Sequence, residues 1–231
     1  MSKRHYFIGQ FDLNSKDVKC LDTEIIHQIK DVLKFKIGEE VVLCDGKGKA
    51  AIGILKQIDK KSLEFLMIDF FSTKKNDQYV VLCAAMLKRD SFEWLLQKAV
   101  EVGVDEIIPI ISERTVKIGA NEKRWQKIIK EAAEQSERLL LPKLHAPQSL
   151  KDALKIKGVK KIFFDPSGDS IDKLKTKDRN IAVFIGPEGG WNESEINQAK
   201  TAEAVILKLG DTILRGETAG VIAVYLAKNT F

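Results

Sequence analysis

The spacing of hydrophobic and polar residues changes near residue 75 and divides the chain into two parts. Before that point, short runs rich in β-branched and aromatic residues alternate with polar turns, a pattern typical of strands. These runs cover residues 6–9, 40–44, 50–56 and 63–70. Asp45 and Gly46 between two of the runs are a hairpin signal, and one helical pattern occupies about residues 23–33. We predict a small, mostly β domain, a barrel or sandwich, at residues 1–72.

After a polar run at residues 72–77, which indicates a linker, strand and helix patterns alternate. Strands are predicted at residues 80–86, 106–111, 161–165, 181–185 and 204–209. The helix patterns include one that ends at Gly103, a long one with an apolar stripe, and a final one at about residues 217–227. The stripe consists of Trp125, Ile128, Ile129, Ala132, Ala133, Ser136 and Leu139. Five strands alternating with helices predict an α/β domain at residues 73–231, with a parallel sheet covered on both faces.

The stretch FIGPEGGWNESE at residues 184–195 follows one of these strands. Asn192 and Glu195 have the spacing of a helix N-cap and its capping-box partner, so the stretch predicts a strand, a glycine-rich loop and a helix. α/β proteins bind ligands at such places, because glycine lets backbone amides approach closely and the helix start leaves donors free.

A second glycine-containing loop, LGDTILRGETA at residues 209–219, follows the last predicted strand. Loops at the carboxyl ends of consecutive strands are expected to form one crevice, although each could instead be a simple tight turn. The chain has no Gly-Lys-Ser/Thr at a helix start and no G-x-G-x-x-G after the first strand of the α/β part. A phosphate loop and a Rossmann dinucleotide site are therefore excluded.

The composition agrees with a folded, mildly basic protein. Of the 231 residues, 44% are hydrophobic and 31% charged, and there are only 5 prolines, so a substantial core is expected and long disordered stretches are not. The net charge of +5 is compatible with nucleic acid or acidic substrates, and equally with a protein that carries many surface lysines.

The cysteines and histidines give no sign of a metal site. Cys20, Cys44 and Cys83 are far apart and each lies in an apolar run, which predicts buried thiols in a reducing cytoplasm. The three histidines are also scattered, so no metal is expected. The amino terminus lacks an apolar signal core, and no apolar run reaches the roughly 20 residues that a membrane span needs.

Several motifs in order along the chain make it resemble a known family. The strongest are GPEGGWNESE and LGDTILRGETA, supported by KRHYFI, HQIKDVLKFKIGEE with DGKG, QKAVEVGVDEIIPIISERT and EQSERLLLP. Together they resemble the RsmE family, the 16S ribosomal RNA uridine-N3 methyltransferases of the SPOUT (trefoil-knot) superfamily. Two positions depart from the family pattern. Gly216 replaces a usual threonine, and Lys34 replaces a usual arginine, which keeps the charge but loses the bidentate fork.

The resemblance implies a PUA-like β domain followed by a SPOUT domain with a knotted carboxyl-terminal segment. The hydrophobic pattern alone predicts only an ordinary doubly wound sheet. The resemblance also implies S-adenosylmethionine as cofactor, 16S rRNA of the small ribosomal subunit as substrate, and a homodimer. The last predicted helix is apolar nearly all round, which agrees with its burial against the sheet or a partner.

On the family motifs, the cofactor is expected at the two glycine-containing loops. The candidate cofactor-binding residues are Ile185, Gly186, Pro187, Glu188, Gly189, Gly190, Leu209, Gly210, Ile213 and Leu214. Glu188 could accept from ribose hydroxyls or favour the sulfonium, or instead cap a helix start. Arg215 is the candidate for stabilising a uridine anion, with a salt bridge to Glu217 or a backbone contact as its structural alternative. Glu217 is the candidate base, or simply the first-turn acid of the last helix.

Six basic residues in the family motifs are candidates for RNA contacts through phosphate, and each could equally be a solvated or structural residue. They are Arg4, His5, Lys34, Lys36, Arg114 and Arg138. Two other functions compete with methyl transfer. One is a catalytically silent SPOUT-fold factor for RNA binding or ribosome assembly, against which the intact cofactor motifs argue. The other is an α/β enzyme acting on a small molecule.

Overall fold

The computed structural model describes residues 4–74, 77–115, 119–174 and 178–230. The chain forms two compact units. The first comprises Met1–Lys75 together with Ala133–Leu141, and the second comprises Asn76–Ala132 together with Pro142–Phe231.

The first unit is built on one five-stranded sheet. Its strands are β1 (His5–Ile8), β2 (Asp17–Cys20), β3 (Glu40–Cys44), β4 (Lys49–Ile58) and β5 (Leu63–Ser72). They lie in the order β1-β3-β4-β5-β2, with β1 parallel to β3 and the other neighbours antiparallel. Helix α1 (Thr23–His27) continues into a π-helical turn (Gln28–Val32). The predicted mostly β part is thus confirmed, but β2 was not predicted, and the predicted helix changes its hydrogen-bond pattern after His27.

The predicted hairpin at Asp45 and Gly46 joins β3 to β4. Asp45 Oδ1 accepts from the backbone amides of Lys47 (2.7 Å) and Lys49 (3.0 Å), which closes the turn. Gly46 and Gly48 have φ angles of 69° and 108°, where glycine is favoured. The turn therefore forms because Asp45 supplies the acceptor and the glycines allow the backbone to bend.

The second unit contains a seven-stranded parallel sheet. Its strands are β6 (Tyr79–Ala85), β7 (Glu106–Ile111), β8 (Lys143–Leu144), β9 (Gln148–Ser149), β10 (Lys160–Ser170), β11 (Asn180–Ile185) and β12 (Val205–Lys208). The order is β12-β10-β11-β6-β7, and the two short strands β8 and β9 both pair with β7. The five predicted strands are all confirmed, and β8 and β9 are additions.

Helices cover both faces of this sheet, as predicted. They are α2 (Arg89–Glu101), α4 (Leu150–Ala153), α5 (Glu193–Thr201) and α6 (Gly216–Asn229). Helix α3 (Glu122–Gln135) packs against α2, where the ring centroids of Phe92 and Trp125 are 4.9 Å apart. On one face, alternate strand residues such as Cys83 and Phe184 pack with α4, Trp191 and Ala199. On the other face, α6 contacts β6, β11 and α2.

Helix α3 is shorter than its apolar stripe suggested. It ends at Gln135, so Ser136 and Leu139 lie beyond the helix. Glu137 has a φ of 59°, and the amide of Arg138 donates to the carbonyl of Ala133 at 2.8 Å. A left-handed residue followed by such a bond is a common helix end, which explains why the chain leaves the stripe here.

Strand β10 lies between β11 and β12, so its backbone approaches both of these strands. The chain runs from β10 to β11 on one side and then crosses back to place β12 on the other side of β10. Gly168 lies at the irregular part of β10, where an added Cβ would be only 2.6 Å from the backbone nitrogen of Leu207. Only glycine permits this approach between the two backbones.

Candidate functional site

The carboxyl ends of β11 and β12 and the middle of β10 open into a single cavity of about 650 Å³. Because the strands are parallel neighbours, their loops meet at one edge of the sheet. The loop after β11 (residues 186–192) and the loop after β12 (residues 209–215) form most of the wall, and residues 164–166 of β10 complete it. The two glycine-containing loops thus form one crevice, as expected from the sequence.

Nine of the ten candidate cofactor residues line this cavity. They are Ile185, Gly186, Pro187, Glu188, Gly190, Leu209, Gly210, Ile213 and Leu214. Gly189 is not among the lining residues, and its carbonyl oxygen instead accepts a hydrogen bond from Arg114 Nη1 at 2.8 Å. The candidate catalytic residues Arg215 and Glu217 also line the cavity.

Two glycines leave free space at the cavity wall. An added Cβ at Gly190 or at Gly210 would meet no heavy atom within 4 Å. Gly190 has a φ of 69°, so a side chain there would also strain the backbone, whereas Gly210 lies outside the left-handed region. Apolar side chains of Leu209, Leu214 and Ile185 stand beside this space. The wall therefore offers close backbone approach together with apolar surface.

The loop after β11 is fixed by its own tryptophan and by the start of α5. Trp191 is buried, and its Nε1 donates to the carbonyl of Phe164 at 3.2 Å, which ties the loop to β10. The predicted capping box is confirmed: Asn192 Oδ1 accepts from the amide of Glu195 (2.8 Å), and the Glu195 carboxylate accepts from the amide of Asn192 (3.0 Å). Helix α5 consequently begins where the sequence predicted.

Glu188 contacts a helix start, which is the alternative role raised for it. Its Oε1 accepts from the backbone amide of Lys88 at 3.0 Å, and Lys88 is the N-cap residue of α2. The carboxylate therefore adds negative charge at the positive end of that helix. Glu188 also lines the cavity together with the candidate cofactor residues.

Arg215 is the N-cap residue of α6, and its side chain is exposed at the cavity. Among the residues that the structure describes, its guanidinium makes no ion pair, so the alternative salt bridge to Glu217 does not form. Glu217 lies in the first turn of α6 and accepts from the hydroxyl of Ser91 at 3.3 Å. Its position is that of the first-turn acid foreseen as its alternative role.

Other cavity residues were not predicted. They are Lys88, Ser91, Phe164, Asp165, Pro166, Trp191, Lys208, Asp211, Thr212, Gly216 and Ala219. Lys88 and Ser91 come from the start of α2, and Asp165 from β10, so neither group lies in a glycine-rich loop. The only sequence signal for them is that each follows the apolar core of a parallel strand.

Gly216 packs closely in this chain. An added Cβ would lie 2.9 Å from Leu87 Cδ2 and 3.4 Å from the carbonyl oxygen of Gly186. The buried Leu87 side chain therefore takes the space that a larger residue at position 216 would occupy. The departure from the family threonine is accommodated by this contact.

Two of the candidate RNA residues lie at the start of β1 in the first unit, with Arg4 just before the strand and His5 as its first residue. Arg4 Nε pairs with Glu40 Oε2 at 2.8 Å, with both side chains well exposed. The His5 ring stacks edge-to-face on Phe35, with ring centroids 5.5 Å apart. This contact brings the start of β1 beside the residues that flank Phe35.

Those flanking residues are Lys34 and Lys36, whose side chains are exposed. Lys34 has a φ of 55°, so the chain turns sharply here. The structure thus gathers four of the six candidate RNA residues in one region. Of the other two, Arg114 contacts Gly189, and Arg138 is half-buried just after α3.

The three cysteines are buried, as predicted. Burial raises the pKa of the Cys44 thiol to about 12, and burial likewise raises the pKa of Cys83. Within residues 4–74, 77–115, 119–174 and 178–230, no three His, Cys, Asp or Glu side chains are grouped to hold a metal ion. In the same ranges, no helix has the length and apolar character to cross a membrane.

Two protein-family models match parts of this chain. Residues 74–228 match the RNA methyltransferase domain, and residues 21–68 match the RNA methyltransferase PUA domain. The second match agrees with the predicted PUA-like domain, and the first covers most of the chain.

Curated relatives agree with these matches. A ribosomal RNA small subunit methyltransferase E from Mesomycoplasma hyopneumoniae is 40% identical over 150 residues, which span 62% of this chain and 66% of that protein, just under two thirds of its length. Its counterpart from Synechocystis sp. is 30% identical over 88% of this chain and 70% of that protein.

A solved structure is also similar over nearly the full length. The ribosomal RNA small subunit methyltransferase E from Neisseria gonorrhoeae, determined bound to S-adenosyl methionine, is 31% identical. It covers 96% of this chain and 95% of its own, with a TM-score of 0.88. This likeness supports the predicted fold class, a SPOUT-type parallel-sheet domain preceded by a PUA-like β domain. The chain belongs to the ribosomal RNA small subunit methyltransferase E family of RNA methyltransferases.

Proposed function

We propose that this protein is an S-adenosylmethionine-dependent methyltransferase that methylates N3 of a uridine in 16S rRNA of the small ribosomal subunit. Family membership supports the activity, since the relatives are named as small subunit rRNA methyltransferases. The observation that carries the proposal is the 650 Å³ cavity, lined by both family motifs at the carboxyl ends of β11 and β12, the two strands that flank β10. Its volume is in the range of about 300–1,000 Å³ that small-molecule sites occupy.

The residues present fit the cofactor. Gly190 and Gly210 leave open space at the wall, so a ligand can approach the backbone there. Leu209, Ile213 and Leu214 provide apolar surface on which the adenine can pack, and Ile213 is 88% exposed, as expected of a side chain that a ligand would cover. We assign the ribose and the sulfonium to the neighbourhood of Glu188, the carboxylate on the loop after β11.

The chemistry is a methyl transfer to nitrogen. S-adenosylmethionine supplies an electrophilic methyl group on its sulfonium. The protein must hold the uridine unpaired and favour loss of its N3 proton, because N3 lies on the Watson–Crick edge and carries a proton at neutral pH. The protein's contribution is therefore orientation together with a positive environment for the base.

Arg215 is the residue that we assign to this positive environment. It stands at the start of α6 with an exposed guanidinium that no described carboxylate pairs, so its charge is available to a uridine anion. The helix start adds further positive potential beside it. Glu217 is held by Ser91, and we assign it chiefly to the first turn of α6.

RNA docking is assigned to the first part of the chain. Arg4, His5, Lys34 and Lys36 lie together there, and residues 1–75 carry 14 basic and 11 acidic residues, a net charge of +3. This modest charge favours recognition of a shaped RNA with few phosphate contacts over tight non-specific binding. We retain residues 1–72 and 73–231 as the proposed domains. A ribosomal substrate implies a cytoplasmic protein.

We also propose a homodimer formed through α6. Tyr225 on this helix is 54% exposed, and Val221, Ile222 and Leu226 are half-buried, which leaves an apolar stripe facing outward. Such a stripe is typical of an interface between identical subunits.

The deciding experiment compares 16S rRNA from cells with and without this protein. Mapping of modified nucleotides should show one 3-methyluridine that disappears in the deletion strain and returns with the wild-type gene. Cofactor binding without any change in rRNA modification would favour the catalytically silent factor instead.

A further inference from the structure

We propose that Arg114 is a positioning residue that holds the cofactor loop in its binding conformation, and not an RNA contact. The inference rests on the proposed function, since it assigns a role toward S-adenosylmethionine. It starts from the turn at residues 112–115, here called the brace turn, which follows β7 and touches the loop after β11.

The brace turn is rigid by its own hydrogen bonds. The backbone amide of Ser112 donates to Thr115 Oγ1 at 2.9 Å, and the amide of Thr115 donates back to the Ser112 carbonyl at 3.1 Å. Ser112 is buried, with its hydroxyl 2.7 Å from that of Thr115. The two residues at the tip, Glu113 and Arg114, are therefore held in a defined direction.

Three contacts connect this tip to the loop after β11 and to the first turn of α5, two to the loop and one to the helix. Arg114 Nη1 donates to the carbonyl of Gly189 at 2.8 Å, and the amide of Glu113 donates to Glu195 Oε1 at 3.0 Å. The side-chain amide of Asn192 also donates to the Glu113 carboxylate. Glu195 is 4% exposed, so its bond to the brace turn is shielded from water.

The contact at Gly189 matters because Gly189 and Gly190 are adjacent. Such a pair has more backbone freedom than any other two residues and would sample many conformations without support. Arg114 fixes the Gly189 carbonyl, and with it the peptide plane that leads into Gly190, the residue whose backbone faces the cavity. The charge of the guanidinium strengthens this bond.

The aliphatic part of the same side chain closes over the loop. An added Cβ at Gly189 would lie 3.3 Å from Arg114 Cδ and 3.4 Å from its Cβ. The arginine therefore contacts Gly189 through both its stem and its head. This arrangement engages Arg114 within the protein and explains why Gly189 faces away from the cavity that its neighbours line.

The first test measures the loop itself, without a ligand. Hydrogen–deuterium exchange of the segment 186–192 should be faster in Arg114→Ala than in the wild type, while exchange in α5 and the thermal midpoint stay the same. Arg179→Ala is the matched control, because Arg179 is an exposed arginine in the same unit and its guanidinium pairs with the exposed Asp77. Equal exchange in Arg114→Ala and the wild type would overturn the proposal.

The second test measures the cofactor. Calorimetry with S-adenosylmethionine should show about a fivefold weaker affinity for Arg114→Ala, as expected for loss of one partly exposed charged hydrogen bond. Arg114→Lys should recover most of it, since lysine can still donate to the Gly189 carbonyl. In transfer assays, the KM for the cofactor should rise while the KM for RNA and its salt dependence stay unchanged.

The outcomes separate this proposal from the proposed function. Wild-type protein that does not bind S-adenosylmethionine would overturn both. Unchanged cofactor affinity in Arg114→Ala, beside a wild type that binds, would overturn the positioning role alone. A higher KM for RNA with a shallower salt dependence would identify Arg114 as a phosphate contact instead.

Discussion

Replacing Arg215 with alanine is expected to separate catalysis from folding and from cofactor binding. The Arg215 side chain is exposed, and no described carboxylate pairs with it. The amide of Ala219 donates a hydrogen bond to the backbone carbonyl of Arg215 at 2.8 Å. Alanine has the same backbone carbonyl, so the substitution keeps this bond. The free energy of unfolding should therefore change by about 0.5 kcal/mol or less.

The effect on methyl transfer should be much larger. If the guanidinium stabilises the uridine anion, its removal costs one electrostatic contact in the transition state, about 2.7 kcal/mol or roughly a 100-fold lower turnover. Arg215→Lys keeps the charge but lacks the planar guanidinium, so its turnover should lie between that of the wild type and that of Arg215→Ala. The assay is transfer of a labelled methyl group to small ribosomal subunits that lack the modification, beside calorimetric measurement of S-adenosylmethionine affinity.

Two results would refute this reasoning. Near-normal turnover of Arg215→Ala would mean that the anion is stabilised elsewhere in the cavity. A cofactor affinity that falls in parallel with turnover would mean that Arg215 holds the cofactor. Arg179→Ala serves as the control for loss of an exposed arginine in the same unit.

Four further outcomes are expected. Gly210→Val should fold normally and weaken S-adenosylmethionine binding by about 10-fold or more, because the new side chain enters the open space at the cavity wall; unchanged calorimetric affinity would argue against this placement of the cofactor. Glu217→Gln should change turnover by about twofold or less, since glutamine still accepts from Ser91 and only a first-turn charge is lost; a large loss that recovers as the pH rises would instead identify Glu217 as the base. Gly168→Ala should destabilise the fold by about 1–3 kcal/mol in a denaturant titration, because its Cβ would lie 2.6 Å from the Leu207 backbone nitrogen, and a midpoint equal to that of the wild type would contradict the close approach. Light scattering at micromolar concentration should give the mass of a dimer, and a monomer would contradict the proposed interface.

Much of the sheet could be predicted because its strands are buried on both faces. The runs that form β6, β7 and β11 are almost wholly apolar, and this pattern can be recognised in the sequence without knowing which strands lie beside them. By contrast, β8 and β9 have two residues each, too few for any periodicity, and they pair only because β7 offers a free edge. Strand β2 is also short, and its alternation of exposed and buried residues spans just four positions.

The candidate site was predicted where glycines mark it and missed where they do not. The two glycine-containing loops lie at the cavity, but Lys88 and Ser91 reach it from the start of α2, and Asp165 reaches it from within β10. Their placement depends on strand order, which brings β10 between β11 and β12, and no local pattern encodes that order. The contact of Arg114 with Gly189 is likewise hidden, because the two residues are 75 positions apart.

The first compact unit has a consequence for the order in which the chain folds. It includes Ala133–Leu141, which are separated in sequence from its first segment by residues 76–132 of the second unit. The first unit is therefore complete only when this later segment is present. The amide of Ile8 donates to Glu134 Oε1 across 126 positions, and the amide of Leu141 donates to the Gly46 carbonyl at 2.9 Å. During synthesis, these partners do not exist until about two thirds of the protein has emerged, at roughly 5–20 residues per second. We therefore expect the first unit to complete its folding only after residues 133–141 have been synthesised. Until then, the apolar surface that these residues cover is exposed and can bind chaperones.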